Sequence, residues 1–246
     1  MTGLEQEVYR KVSAIIADEE HVLARSGVLT ALKKAIDQSA ELQGITELIA
    51  TDPALAAHLL MRANTAQNAG VVKSKHRTFK DALIRLGNDN LYRYSLAFYL
   101  KANLELLQEP YRSLVEGYWQ LNEDITQAVM AKLYLANEQA SPSKIDPDEL
   151  QTLALFSVFD KVIALTAFAS LNQVVERPLS LRMVKSIIDK QQQPLSVQAF
   201  DSFDLDDALH HEFCIAHNLE QTDNPDSSGL LLRQVLAKRE LLINPL

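Results

Sequence analysis

Between Leu48 and Gly87 the chain reads LIATDPALAAHLLMRANTAQNAGVVKSKHRTFKDALIRLG, and no other segment constrains the fold as tightly. Asp52-Pro53 halts one short apolar run and opens the next. An aspartate suits an N-cap because its carboxylate accepts the backbone N–H groups that a first helical turn leaves unpaired, and proline suits the first helical position because it has no N–H to waste. From there Leu55, Leu59 and Ala63 share one face, with Leu60 broadening it, so a helix is expected to run to Arg62-Ala63-Asn64-Thr65. Gly70 and the polar, basic residues up to Thr78 read as a loop. A short helix, Ala82-Leu83-Ile84-Arg85-Leu86, then stops at Gly87, which takes left-handed geometry at low cost.

The same 3.6-residue period recurs along nearly the whole chain. Val8, Val12 and Ile15 or Ile16 mark a first helix from about Leu4 to Ala17; Leu29, Leu32 and Ile36 mark a second; a short one spans about Ile45 to Ala50. After a helix from about Leu91 to Leu107, Tyr111, Leu114, Tyr118, Leu121, Ile125, Val129 and Leu133 line one long stripe. Asn137 to Lys144 reads as a loop. Asp146-Pro147-Asp148-Glu149 then starts a helix to about Ser170 that is apolar on almost every side, as befits the centre of a bundle. Shorter helices are expected over about 181–191, 195–200, 206–217 and 230–242. Few glycines and a preference for straight-chain residues over β-branched ones agree with an all-α fold without a sheet.

A formal net charge of −8 excludes nucleic-acid binding through bulk charge, although Lys73, Lys75, His76, Arg77 and Lys80 make a local basic run, read as a solvated loop. One cysteine, Cys214, leaves no disulfide framework and no multi-cysteine zinc site; its apolar neighbours predict inert burial. The N-terminus carries charges where a signal peptide needs an apolar run. The most apolar stretch, Leu153 to Ala169, is interrupted by Asp160 and Lys161, so a buried core helix is expected rather than a membrane span. A cytoplasmic protein with no membrane contact follows as the expectation.

The order and spacing of Asp52-Pro53, Arg62-Ala63-Asn64-Thr65 and Leu86-Gly87 resembles the HDOD domain, a helical bacterial signalling module related to HD-type phosphohydrolases. The resemblance is strongest over Val28 to Asn103. It departs from the family pattern in having Ser26-Gly27 near the domain start, where Leu-Pro is usual, and Thr65 where serine is common. It implies a multi-helix HD-like bundle, one domain over 1–246, divisible at most into subdomains 1–103 and 104–246. It also implies a scaffold that generally lacks the HD metal ligands.

HD hydrolases use a His, a His-Asp pair and a further Asp to hold a metal that makes hydroxide near neutral pH. By the resemblance, the first His position lies two residues after Trp119, at Leu121. The pair belongs in Ala154-Leu155-Phe156-Ser157-Val158-Phe159-Asp160-Lys161, at Ser157 and Val158 or, shifted by one, at Val158 and Phe159. Neither register restores the ligands, and the last Asp has no counterpart. No metal and no cofactor are expected.

Ser157, Asp160 and Lys161 fall at i, i+3 and i+4, on one helical face, and Asn122 and Asp124 come near them if the helices pack as in the HD scaffold. A hydrogen-bonded structural network or a solvent edge is the expected reading, with a vestigial polar pocket as the alternative. His210, His211 and His217 are spaced too widely for a bidentate metal pair and read as surface or packing residues. Asn64 is expected to bond loop backbone, with ligand reading as the alternative. No phosphate loop, nucleophile elbow or HExxH motif occurs. The function expected is therefore a non-catalytic bacterial signal-transduction module, receiving its signal through a protein partner or a small ligand. A metal-dependent phosphohydrolase with atypical ligands and a purely structural helical adaptor are the alternatives.

Overall fold

In the computed structural model, residues 1–18, 27–67, 79–138, 144–203 and 205–245 are described, apart from the side chains of 64–67. They form α1 (Gly3–Ile16), α2 (Gly27–Asp37), α3 (Leu42–Ala50), α4 (Pro53–Gln67), α5 (Phe79–Ala102), a 3-10 turn (Asn103–Leu106), α6 (Tyr111–Asn137), α7 (Pro147–Leu155), α8 (Phe159–Val174), α9 (Leu181–Ser202), α10 (Asp207–Ala216) and α11 (Ser228–Ala237). The fold is all-α, with no strand among the described residues. The basic run from Lys73 to Arg77, the Ser141-Pro142-Ser143 loop and the side chain of Asn64 lie outside the described residues.

The chain divides into two compact units. The smaller holds α2 to α5; the larger holds α1 together with everything after Asn103. The expected subdomain of residues 1–103 thus differs from the observed unit by α1. That helix buries Val8, Val12 and Ile16 and is tied to α9 by polar bonds. Glu5 Oε1 accepts from Ser186 Oγ at 2.8 Å, and Lys190 Nζ lies 3.3 Å from the same carboxylate. Gln198 Nε2 donates to the Ser13 carbonyl at 2.6 Å while Ser13 Oγ donates to Gln198 Oε1 at 2.7 Å. The hydrogen bond from Ser186, then that from Thr2 and the Lys190 charge, hold the Glu5 carboxyl down at about 2. Long-range pairing of this kind leaves no periodic signature.

In the smaller unit the expected cap is present: Asp52 Oδ1 accepts from the N–H groups of Ala54 at 3.0 Å and Leu55 at 3.1 Å. Leu55, Leu59 and Ala63 are fully buried along α4. Gly87 sits at φ 70, ψ 165, where it interrupts α5. That region is open essentially to glycine alone, which explains the helix stop read at this position.

In the larger unit α6 runs unbroken for 27 residues, about 40 Å at 1.5 Å per residue. Its buried face is Tyr111, Val115, Trp119, Asn122, Ile125, Val129 and Leu133. The lower half of the expected stripe holds. In the upper half the face is turned by one residue, so that Leu114 is exposed and Tyr118 and Leu121 are half-buried. The single apolar helix expected up to Ser170 is two helices, broken at Phe156–Val158, where Phe156 (φ −97, ψ 3) and Val158 (φ −127, ψ 22) leave helical geometry. Pro147–Val174 is the one described stretch long and apolar enough to cross a membrane, and 94% of its most apolar 18-residue window is buried inside the protein. It is core, packed against a cluster in which Phe159 meets Phe156, Phe200 and Phe203 edge-on.

The two helices expected at 181–191 and 195–200 are the two arms of α9, which meet at a kink where Gln191 leaves helical geometry (φ −122, ψ 21). Pro194 has no N–H for the Lys190 carbonyl; the Gln191 side chain donates to that carbonyl instead, at 3.0 Å. Closer approach occurs between α10 and α11. A Cβ on Gly229 would lie 2.4 Å from the Glu212 carbonyl oxygen, so only glycine fits there.

Candidate functional site

The break between α7 and α8 sets the geometry of the polar interior of the larger unit. It turns Ser157 inward, fully buried, beside Asn122 on α6, which is 3% exposed. Ser157 Oγ donates to Asn122 Oδ1 at 2.9 Å, and Asn122 Nδ2 donates to the Leu155 carbonyl. From the other side comes His217, the residue that ends α10 and is itself fully buried. Its Nε2 donates to the Ser157 carbonyl at 2.9 Å. Burial keeps its imidazole neutral, with a pKa of about 4, against the opposing pull of the Asp160 charge.

Asp160 and Lys161 adjoin this network and are also buried, 2% and 9% exposed. Lys161 Nζ stands 3.9 Å from Asp160 Oδ2, at the outer limit of an ion pair. Gln192 Nε2 approaches the same carboxylate oxygen at 3.4 Å. Asp160 Oδ1 and Lys161 Nζ are buried without a hydrogen-bond partner. Burial raises the Tyr118 pKa first, followed by the Asp160 and Asp189 charges, which places this phenol within the field of the same carboxylate.

The structure thus brings together Asn122 and Ser157, with Asp160 and Lys161 beside them. It does not bring in Asp124, which is exposed, and Leu121 is half-buried rather than facing inward. Val158 is fully buried. Two members of the interior were not assigned to it from sequence. His217 lies 60 residues from Ser157, beyond any periodic signal, and Gln192 reads only as part of a polar run. The three C-terminal histidines do not converge. His210 stacks on Phe200 at 4.8 Å and His211 pairs with Glu220 at 2.7 Å on the surface, while His217 enters the core. Surface and packing roles describe the first two. Cys214 is buried, and its thiol is pushed up to about 11, by burial before the nearby Glu220 charge, so little thiolate exists near neutral pH.

The chemistry open to this arrangement follows from which atoms are already engaged. Ser157 gives its hydroxyl proton to an amide oxygen, and the His217 ring meets the main-chain carbonyl of Ser157, so the two do not form a hydroxyl–imidazole nucleophile pair. A divalent metal needs three or more lone-pair donors converging on one point. Here Asp160 and His217 are the lone-pair donors of the interior, and no group of three His, Cys, Asp or Glu converges among the described residues. The amide and hydroxyl beside them are engaged with each other. The residues present do not fit the metal that an HD hydrolase carries.

In the smaller unit Asp52 Oδ2 accepts from Tyr99 Oη at 2.8 Å, so one carboxylate both caps α4 and ties it to α5. Pro53 opens α4, and Leu86 is buried just before Gly87. These signature residues act in building the fold.

The described residues thus form an all-helical scaffold with a polar interior at a broken central helix. The HDOD domain model matches residues 24–216, and the chain belongs to the HDOD family. A solved protein from Shewanella amazonensis SB2B, provisionally described as a metal-dependent phosphohydrolase, shares the fold with a TM-score of 0.64 and 16% identity, over 88% of this chain and 76% of that one. No curated protein matches the sequence.

Proposed function

We propose that the chain is a non-catalytic regulatory module of bacterial, cytoplasmic signal transduction, working by binding a protein partner or a small ligand. The observation that carries this reading is the hydrogen-bond chain from Leu155 through Asn122 and Ser157 to His217. It occupies the region where the family resemblance puts the HD ligand positions, at Ser157 and Val158 with Leu121 on the neighbouring helix. An amide, a hydroxyl and two aliphatic side chains supply no strong ligand there, and the first two satisfy one another. Membership of the HDOD family supports the same reading.

The metal-dependent phosphohydrolase remains the second reading, favoured by the buried Asp160 and His217 and by the description of the Shewanella protein. Two lone-pair donors fall short of the three protein ligands that hold a catalytic metal open to substrate. A panel of phosphatase and phosphodiesterase substrates, assayed with Mn²⁺, Mg²⁺ or Zn²⁺, separates the two. The regulatory reading expects rates equal to the protein-free blank. Metal-dependent turnover that disappears in Asp160→Asn would establish the enzyme instead.

A further inference from the structure

We propose that His58 and Arg62, set against the Tyr94 and Phe98 rings in the smaller unit, form a binding site for an oxyanion, the phosphate or carboxylate group of a small ligand. His58 and Arg62 are one turn apart on α4 and so lie on one face. The Arg62 guanidinium is held over the Tyr94 ring, 5.6 Å from its centroid, and the His58 ring packs at 5.3 Å against Phe98. Both aromatic residues belong to α5, which packs on α4.

What singles out this pair is two buried nitrogens left without partners, one on each side chain. No carboxylate pairs with Arg62 among the described residues, and its Nε and the His58 Nε2 are buried without hydrogen-bond partners. A guanidinium keeps its charge at any ordinary pH, and the half-buried Arg62 has its Nε turned away from water and unpaired. Histidine can escape by staying neutral. Burial, followed by the Arg62 and Lys101 charges, holds His58 at about 4. The local field is therefore positive on a chain whose net charge is −8. A cation is repelled from such a place. An oxyanion gains from it, because the planar N–H array of arginine matches two oxygens of a phosphate or carboxylate, and a neighbouring ring N–H adds a third donor once protonated. Tyr94 holds the guanidinium from behind, so part of the entropy of ordering it is already lost before a ligand arrives. This site belongs to the smaller unit, and the proposal does not depend on whether the Asn122–Ser157–His217 interior is catalytic.

The test is the ring titration of His58 followed by NMR on the full chain, in chloride, inorganic phosphate and trifluoroacetate at matched ionic strength. Trifluoroacetate serves as a carboxylate that stays ionised at low pH. An oxyanion seated between Arg62 and His58 should raise the His58 pKa by about one unit or more, the effect of an opposite charge within a few ångströms. Arg62→Gln should abolish the anion effect while leaving the His211 titration as it was. The anion that produces the shift identifies phosphate or carboxylate as the ligand group. A His58 titration identical in all three salts overturns the proposal in the unmodified protein, whatever the variant does. So does an anion-induced shift that persists in Arg62→Gln.

Discussion

The His217 imidazole donates to the carbonyl of Ser157 at 2.9 Å, so the end of α10 closes the gap that the chain opens between α7 and α8. A broken helix buried in a core leaves main-chain carbonyls without partners, and each unpaired one costs on the order of 1–3 kcal/mol. His217 answers one of them and Asn122 another, at Leu155. The burial of Asn122 and His217 is thereby explained as what the break requires.

That role makes stability depend on pH in a defined direction. The folded pKa of His217 is about 4, below the ordinary 6.5. Its contribution is complete above about pH 6.5 and is lost as pH falls from there through 4, because the unfolded chain takes up the proton first. His58 adds a loss in the same window. Urea unfolding monitored between pH 4 and 7 should show falling stability toward acid, and His217→Gln should flatten part of that slope. An unchanged slope in the variant would mean that His217 is not held neutral in the folded state.

Asn122→Ala removes the acceptor of the Ser157 hydroxyl and the donor to Leu155 together. Two buried groups lose partners, so a loss of about 2–4 kcal/mol is expected. Ser157→Ala should cost less, about 1 kcal/mol, and the double variant should be less damaged than the sum of the two. Additive losses by chemical denaturation would show that the pair is not coupled.

Gly87→Ala forces a side chain into φ 70, ψ 165 and should destabilise by about 1–3 kcal/mol. Gly229→Ala should also destabilise, for a different reason. Its Cβ would meet the Glu212 backbone, which is the fixed wall of a helix and cannot rotate away. Melting curves of the two variants check both, and a neutral Gly229→Ala would mean that α10 and α11 separate easily.

Asp52→Ala should cost about 0.5–2 kcal/mol for the lost cap, with a further loss from the Tyr99 hydroxyl left without its acceptor. Tyr99→Phe isolates the second part and should cost about 1 kcal/mol. Equal stability of Tyr99→Phe and the unmodified chain would show that this bond contributes nothing.

Those capping and turn residues were legible in the sequence because their physics is local: Asp52-Pro53 and Gly87 act within a turn or two of themselves. The burial of Leu153 to Ala169 was legible for the same reason, through an apolar pattern that two charges interrupt. The break at Phe156–Val158 was not, since Phe156, Val158 and Phe159 are as apolar as a continuous core helix would be. The register of upper α6 departs from the expected stripe because hydrophobic periodicity follows apolar side chains. It selects Leu121 over Asn122, although the structure buries the amide to serve the break opposite it. His217 reads as one of three histidines, but its destination depends on how α10 packs, which no spacing encodes.

The proposed regulatory reading requires that the interior around Asn122, Ser157, Asp160 and His217 hold no catalytic metal. Elemental analysis of the purified full chain by inductively coupled plasma mass spectrometry tests it most directly. The account predicts no stoichiometric iron, manganese or zinc. One tightly held equivalent per chain, lost in Asp160→Asn or His217→Gln, would contradict it.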